Sequence, residues 1–219
     1  MSKPEIRAVT FDMDGLMFNT EDLYNIVGET LRNRRGQSFT TEVKLAIMGL
    51  PGPKAFAVMK DRCGLDDPID ALAEECEQLF QDLLPARIEM MPGLEELLEL
   101  LESNGIPKGI ATSSHARFAE RALGLFDLKP RFEFVLTCES VENGKPHPEV
   151  YLTAARRLNV APAEMLVLED SVHGSNAAIA AGAVTIAVPS TRVDPGLIGD
   201  VYAVCGRLDD SRILDLIRN

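Results

Sequence analysis

The stretch Val9-Thr10-Phe11-Asp12-Met13-Asp14-Gly15 ends an apolar run of β type, which begins at Ile6, on two carboxylates. In an open α/β sheet, the carboxyl ends of the strands face the ligand crevice, so Asp12 and Asp14 are expected to lie there. A carboxylate in such a crevice can attack an electrophile, and its neighbour can transfer a proton. The pair alone is a weak signal, because most Asp-x-Asp pairs are solvated turns.

A second polar segment follows the next predicted strand, Ile106–Ala111. This strand ends at Thr112-Ser113-Ser114, which offers three hydroxyls beside exposed backbone N–H groups. Hydroxyl and amide groups at a strand end suit the binding of a phosphate. An ordinary helix N-cap would have the same composition, so this segment gains weight only from its place in an ordered set.

A lysine and two further acids complete that set. Lys145 lies between a glycine and a proline, and there it can bridge a carboxylate and a phosphoryl oxygen. The predicted strand Met165–Leu168 ends at Glu169 and Asp170. Several close carboxylates need compensating charge beyond one lysine, and oxygen ligands favour a hard cation. We therefore expect Mg²⁺ at this edge of the sheet, together with a phosphate.

Composition limits the classes of protein and of partner. The 219 residues are 46% hydrophobic, which suits one large or two small globular domains with a normal core. The net charge of −12 argues against a nucleic-acid partner, because such a partner needs a basic face. A small phosphorylated metabolite needs only local positive charge. The four scattered cysteines, the absence of an apolar leader and the absence of a membrane-length apolar run predict a cytoplasmic protein with no membrane partner.

The order of predicted elements indicates an α/β fold. Strands and helices alternate after Met91-Pro92-Gly93, which is typical of a parallel sheet covered on both faces. Between the first strand and this turn, the stretch from about Thr20 to Leu84 reads as entirely helical, so we expect a helical insertion. The other predicted helices are Leu94–Leu101, Glu149–Leu158 and Ser175–Ala181, and the other predicted strands are Phe134–Leu136, Ala183–Val188 and Val201–Val204.

The ordered set resembles the four motifs of the haloacid-dehalogenase-like hydrolase superfamily. The stretches Asp12–Leu16 and Glu169-Asp170-Ser171 are similar to those of its branch of β-phosphoglucomutases and small phosphate-ester phosphatases, including pseudouridine-5′-phosphatases. The resemblance covers nearly the whole chain. It implies a Rossmann-like core over residues 1–15 and 88–219, with a helical cap domain over residues 16–87 that closes over the core.

The resemblance also implies a role for each motif residue. Asp12 would be the nucleophile that forms an aspartyl-phosphate, and Asp14 the general acid and base. Thr112 and Lys145 would hold the transferring phosphoryl group. The substrate-binding residues implied in this way are Thr112, Ser113, Ser114, Lys145 and Tyr24. The implied Mg²⁺ ligands are Asp12, Asp14 through its backbone carbonyl, Asp170 and Glu169, for which direct ligation stays open.

Three positions favour a phosphatase over a mutase. A mutase of this branch carries a histidine where Tyr24 stands, an arginine at Gly52 in the loop Met48–Gly52, and a lysine where His115 stands. We therefore expect a phosphatase acting on a small sugar or nucleoside phosphate, as a monomer or weak oligomer. A β-phosphoglucomutase-type mutase is the alternative. A non-catalytic phosphometabolite-binding protein is the alternative of another class, although such chains usually lose a motif acid.

Overall fold

The computed structural model describes residues 3–37, 40–47, 52–189 and 198–218 of the chain. Its contacts divide the chain into two compact units. The strand unit comprises Met1–Asn19 and Glu89–Asn219, and the helical unit comprises Thr20–Ile88. Residues 48–51 of the loop compared above with mutases lie outside the described residues.

Six strands form one parallel sheet in the strand unit. They are β1 (Ala8–Phe11), β2 (Lys108–Ala111), β3 (Val135–Leu136), β4 (Met165–Glu169), β5 (Val184–Ala187) and β6 (Ala203–Val204). Their order across the sheet is β3-β2-β1-β4-β5-β6, with every neighbouring pair parallel. The central strands β1, β2 and β4 are buried along their whole length. The predicted α/β fold with a parallel sheet is confirmed.

Among its described residues, the helical unit has four α-helices. They are α1 (Thr20–Asn33), α2 (Thr41–Ile47), α3 (Gly52–Cys63) and α4 (Ile69–Arg87). A separate apolar core holds them together, with Leu31, Met59 and Leu72 among its buried members. The helix α1 packs along α4, where the ring of Tyr24 stacks on that of Phe80 at a centroid distance of 4.3 Å.

The described part of the strand unit contains five α-helices. They are α5 (Leu94–Ser103), α6 (Ala116–Gly124), α7 (Glu149–Leu158), α8 (Val172–Ala180) and α9 (Ser211–Ile217). The helix α8 begins three residues before its predicted start, because the Ser171 side chain caps it by accepting a hydrogen bond from the Gly174 N–H. The chain was expected to finish with its last strand. It finishes instead with α9, which Asp210 caps by accepting from the Arg212 N–H.

The turn after β1 belongs to the strand unit and not to the helical one. Gly15 has a φ of 76°, and its N–H donates to the Phe18 carbonyl at 3.0 Å. The ring of Phe18 is buried and stacks on Phe126 at a centroid distance of 5.4 Å. The Asn19 N–H donates to the Glu89 carbonyl at 3.2 Å. The helical unit therefore starts at Thr20, four residues after the expected boundary.

The strand order brings the ends of β2, β1 and β4 together. The chain builds one half of the sheet from β1 outward and then returns to place β4 on the other side of β1. Phe11 pairs with Ile110 on one side and with Leu168 on the other. Such a reversal of strand order opens a crevice at the carboxyl ends, where α/β proteins bind ligands. Within the described residues, no helix is both long and apolar enough to cross a membrane.

Candidate active site

Polar side chains follow each of the three central strands. Asp12 follows β1, Thr112 follows β2, and Glu169 is the last residue of β4, with Asp170 next. All four residues are buried. The Asp12 N–H donates to the Leu168 carbonyl at 3.0 Å, so the backbone of β1 stays paired with β4 up to the first acid. The sheet register therefore fixes the spacing of these side chains.

Lys145 joins the acids of β1 and β4. It comes from the loop before α7, and its Nζ donates to Asp12 Oδ1 at 2.5 Å, to Glu169 Oε1 at 2.6 Å and to the Ala111 carbonyl at 2.9 Å. Burial of the lysine opposes its charge, but the charges of Asp12 and Glu169 outweigh burial and raise the pKa of Lys145 well above its usual value. Lys145 is therefore a fixed cation in the crevice.

The carboxyl of Asp12 carries a strongly shifted pKa. The pKa of Asp12 is raised to about 8, mainly by burial; Lys145 opposes the rise, and Glu169 and Asp14 add to it. One lysine shared between two carboxylates does not restore an ordinary acidity to this group. A further positive charge in the crevice would therefore stabilise the ionised form of Asp12.

Glu169 is held from several sides by residues that were not among the predicted site residues. Its Oε1 accepts from the Tyr151 hydroxyl at 2.6 Å, and its Oε2 accepts from the Ser171 hydroxyl at 3.0 Å and from the Ser171 N–H at 3.2 Å. A Cβ on Gly174 would lie 1.7 Å from Glu169 Oε1, so only glycine leaves the carboxylate its space. The position of Tyr151 on the apolar face of α7 could have indicated this contact, because a buried phenol needs a hydrogen-bond partner.

Asp14 faces the segment after β2. Its Oδ2 accepts from the Ser114 hydroxyl at 2.7 Å and from the Thr112 hydroxyl at 3.2 Å. The Ser114 N–H in turn donates to Thr112 Oγ1 at 3.0 Å. Ser113, also predicted to bind substrate, is exposed. The structure therefore brings Thr112 and Ser114 to Asp14 and turns Ser113 toward solvent.

Three of the predicted metal ligands form a compact group. One carboxylate oxygen from each of Asp12, Glu169 and Asp170 lies within 4.8 Å of the other two, and all three residues are buried. Carboxylate oxygens are ligands of the kind that Mg²⁺ takes, usually together with water and substrate phosphate. The donor set fits Mg²⁺. The side chain of Asp14 faces the hydroxyls instead, which is compatible with ligation by its backbone carbonyl.

Tyr24, the remaining predicted site residue, lies on α1 of the helical unit. One face of its ring stacks on Phe80, and the residue is 49% exposed. It is therefore only partly covered and does not fill the core of its unit.

Comparison with known proteins places the chain in a family. Residues 9–188 match the family model of the haloacid dehalogenase-like hydrolases, and this span holds every motif of the crevice. The chain belongs to the haloacid dehalogenase-like hydrolase family. The resemblance stated from the motifs is confirmed.

Two relatives of this chain are named as phosphatases. A "Phosphorylated carbohydrates phosphatase" of Thermotoga maritima is 34% identical over 213 residues, covering 95% of this chain and 90% of the relative. A "Probable pseudouridine-5'-phosphatase" of Drosophila melanogaster is 34% identical over 219 residues, covering 96% and 94%. The expectation of an enzyme, a phosphatase of this family, is confirmed.

The fold also matches a solved structure over nearly its whole length. The crystal structure of a "putative beta-phosphoglucomutase" from Thermotoga maritima superposes with a TM-score of 0.84 at 29% identity. The match covers 97% of this chain and 99% of that one. The chain therefore shares its fold with a protein titled as a mutase, so the fold alone does not distinguish a phosphatase from a mutase.

Proposed function

We propose that the protein is a Mg²⁺-dependent phosphatase that hydrolyses a small phosphomonoester, a sugar or nucleoside phosphate, through an aspartyl-phosphate. The observation that carries this proposal is the bridge from Lys145 to Asp12 and Glu169, set where β1 and β4 end side by side. A buried carboxylate held by a fixed cation in a crevice is placed to meet a phosphoryl group. The names of the relatives support the substrate class, with a phosphorylated carbohydrate in one and pseudouridine-5′-phosphate in the other.

The first chemical step would use Asp12 and Asp14. The Asp12 carboxylate attacks phosphorus, the bond from phosphorus to the ester oxygen breaks, and that oxygen leaves as an alcohol after taking a proton from Asp14. Thr112 and Lys145 hold the phosphoryl oxygens during this transfer. The hydroxyls of Thr112 and Ser114 hold the Asp14 carboxyl in place for its proton transfer.

The second step would return the enzyme to its starting state. Asp14, now deprotonated, takes a proton from a water molecule, whose oxygen attacks phosphorus and releases Asp12 and inorganic phosphate. Asp12, Asp170 and the backbone carbonyl of Asp14 would hold Mg²⁺, which neutralises charge between the anionic carboxylate and the anionic phosphate. Glu169 would serve this site mainly by positioning Lys145, because hydrogen bonds already engage both of its oxygens.

Three positions favour hydrolysis over phosphoryl transfer to a second sugar, because none of them supplies a free positive charge for a second phosphate. A mutase must hold a second phosphate, which is costly to bury without fixed positive charge. Tyr24 and Gly52, at the two positions in the helical unit, are neutral. His115, at the third, has its Nδ1 hydrogen-bonded to the Glu139 carboxylate at 2.8 Å. These positions support a phosphatase.

A screen of phosphorylated metabolites for phosphate release tests the proposal. Release should require Mg²⁺, stop with EDTA and resume with excess Mg²⁺. Asp12→Asn should abolish it, and Asp14→Asn should slow it by roughly 10²–10⁴-fold, as expected on loss of a general acid and base. Asp66→Asn removes the same charge from an exposed residue of the helical unit and should leave turnover unchanged.

Four results would contradict the proposal. Full turnover in EDTA would exclude the metal, and turnover by Asp12→Asn would exclude the nucleophile. Efficient conversion of β-glucose-1-phosphate to glucose-6-phosphate, stimulated by glucose-1,6-bisphosphate, would instead identify a mutase. Binding of a phosphometabolite without turnover of any ester would identify a non-catalytic member.

A further inference from the structure

A second group of metal-ligating side chains lies beside the segment that follows β2, residues 112–114. Neither step of the proposed phosphatase reaction uses this group. We name it the His–Cys–Glu cluster, comprising His115, Cys138 and Glu139. His115 directly precedes α6, and Cys138 and Glu139 lie in the short 3₁₀ turn Cys138–Ser140 after β3. Because β2 and β3 are neighbours, their carboxyl ends bring these two segments together.

The three side chains already contact one another. His115 Nδ1 lies 2.8 Å from Glu139 Oε1 and 3.2 Å from Cys138 Sγ, and the three ligand atoms all lie within 4.8 Å of one another. The backbone holds the segments in register, because the Cys138 N–H donates to the Ser114 carbonyl at 3.1 Å. The cluster therefore has three different ligand types on two joined segments.

We propose that the His–Cys–Glu cluster binds a transition metal ion of the Zn²⁺ type through His115 Nδ1, Cys138 Sγ and a Glu139 carboxylate oxygen. Bond lengths of about 2.0–2.1 Å to nitrogen, 2.3 Å to sulfur and 2.0–2.2 Å to oxygen place tetrahedral ligand atoms about 3.4–3.6 Å apart. The His115 contacts need to lengthen by only about half an ångström to reach that spacing. On binding, the Cys138 thiol loses its proton to water and ligates as thiolate, and the neutral His115 ring carries its proton on Nε2 so that Nδ1 can ligate.

The ligand types select this class of ion. Thiolate and imidazole suit Zn²⁺ and Co²⁺, whereas Mg²⁺ prefers the all-oxygen group of Asp12 and Asp170. The side chain of His115 is 79% exposed, so an ion can enter from solvent and complete its coordination with water. A hydrogen bond from Thr137 and then one from His115 lower the pKa of Glu139 to about 2, so this ligand is anionic at neutral pH.

A purely structural role predicts different behaviour. The Glu139 carboxylate also accepts from the Ala116 N–H at 3.3 Å, so it could act only as a partner for the start of α6. In that case the cluster would show no affinity for metal ions. The proposal does not rest on the phosphatase reaction, since none of its three residues takes part in it.

Titration with Co²⁺ in saturating Mg²⁺ tests the proposal. Mg²⁺ fills the all-oxygen group, and a Co²⁺ ion bound by Cys138 gives a thiolate-to-metal absorption band that carboxylates cannot give. We expect this band to saturate at a single equivalent and to disappear when Zn²⁺, bound more tightly at such ligands, is added. Cys138→Ser should remove the band. Cys76→Ser, which changes a half-buried thiol of the helical unit, should keep it.

His115→Ala gives the quantitative arm of the test. Loss of an outer partner of a metal ligand costs 10–100-fold in affinity, so loss of the ligand itself should weaken Co²⁺ binding by at least about 100-fold. The exposed position of His115 makes this variant safe for folding, which circular dichroism checks. Absence of the band in the wild type, its survival in Cys138→Ser, or unchanged affinity in His115→Ala would each overturn the proposal.

Discussion

The carboxylate of Glu169 sets the position of Lys145 in the crevice. It is fully buried and is shared between the Lys145 ammonium and the Tyr151 hydroxyl, which meet at the same oxygen. The Lys145 ammonium also lies 5.1 Å from the centre of the Tyr151 ring. Tyr151 is therefore a positioning residue, which would act on the proposed phosphoryl site through its two neighbours.

Tyr151→Phe should destabilise the protein while keeping the packing of the ring. A hydrogen bond to a charged group is worth about 1.5–3 kcal/mol, and the buried Glu169 would lose one of its donors. Urea unfolding should show a loss of that size, and kcat for phosphate release should fall. Tyr202→Phe, at a residue 53% exposed, is the matched control and should change neither. Equal behaviour of the two variants would remove Tyr151 from the site.

Gly174→Ala should disturb the same carboxylate by direct overlap. The new methyl group would overlap Glu169 Oε1, the oxygen that accepts from Lys145, so Glu169 must leave its present position. Overpacking of this kind costs about 1–3 kcal/mol, and we expect phosphatase activity to fall with it. Gly124→Ala, where a Cβ would meet nothing within 4 Å, should be neutral or stabilising in the same assays. Normal activity in Gly174→Ala would show that Glu169 has freedom to move.

Among the structural elements, the strands were predicted more accurately from the sequence than the boundary between the two units. A buried parallel strand is a short apolar run, and polar residues at its end stand out, which is why Asp12, Thr112 and Glu169 could be assigned to strand ends. The contacts group the turn Leu16–Phe18 with the strand unit, four residues from the expected boundary, and Phe18 stacks there on Phe126, far along the chain. Contacts of this range leave no local signal in the sequence.

The terminal helix and the supports of Glu169 were missed for related reasons. The helix α9 has only seven residues, too few to be stable alone, and it packs against α5. Tyr151 reads as an apolar core residue until the strand order places it beside β4. The motif residues, by contrast, could be assigned from the sequence, because their types and their order along the chain resemble those of a known family.

An ion network joins α5, β2 and the turn before β3. Glu102 on α5 accepts from the Arg131 guanidinium with both oxygens, at 2.8 and 2.9 Å, and pairs with Lys108 of β2 at 3.0 Å. The hydrogen bond from Arg131 is the main cause that lowers the pKa of Glu102 to about 2. The Lys108 side chain is almost fully buried, and Glu102 is the carboxylate with which it pairs.

Glu102→Gln should destabilise the protein at neutral pH and progressively less in acid. We expect a loss of about 1–2 kcal/mol, between the values for exposed and for buried pairs. A folded-state pKa below the unfolded one stabilises the fold above about pH 4.5, and this contribution is lost as pH falls toward 2. Urea unfolding from pH 7 to about 3.5 should therefore show the gap to wild type closing. Glu99→Gln, on the exposed side of α5, should show no gap, and a constant gap for Glu102→Gln would contradict the assignment.

For the molecule as a whole, the net negative charge and the buried acids both attract cations. The charge of −12 repels itself in the folded state, and the crevice adds three buried carboxylates at close range. Both effects favour binding of cations, but they differ in kind. Self-repulsion is relieved by any salt, through screening, whereas the buried group requires an ion that fits its oxygens.

Mg²⁺ should therefore raise the melting temperature beyond the effect of ionic strength. An ion that binds only the folded state stabilises it by about 2.7 kcal/mol at a hundred times its Kd. At roughly 2–4 °C per kcal/mol for a chain of this size, the expected rise is about 5–10 °C. The comparison is made against NaCl of equal ionic strength, which accounts for screening. Asp170→Asn should lose the Mg²⁺-specific part and keep the response to NaCl, and an equal Mg²⁺ shift in the variant would place the ion elsewhere.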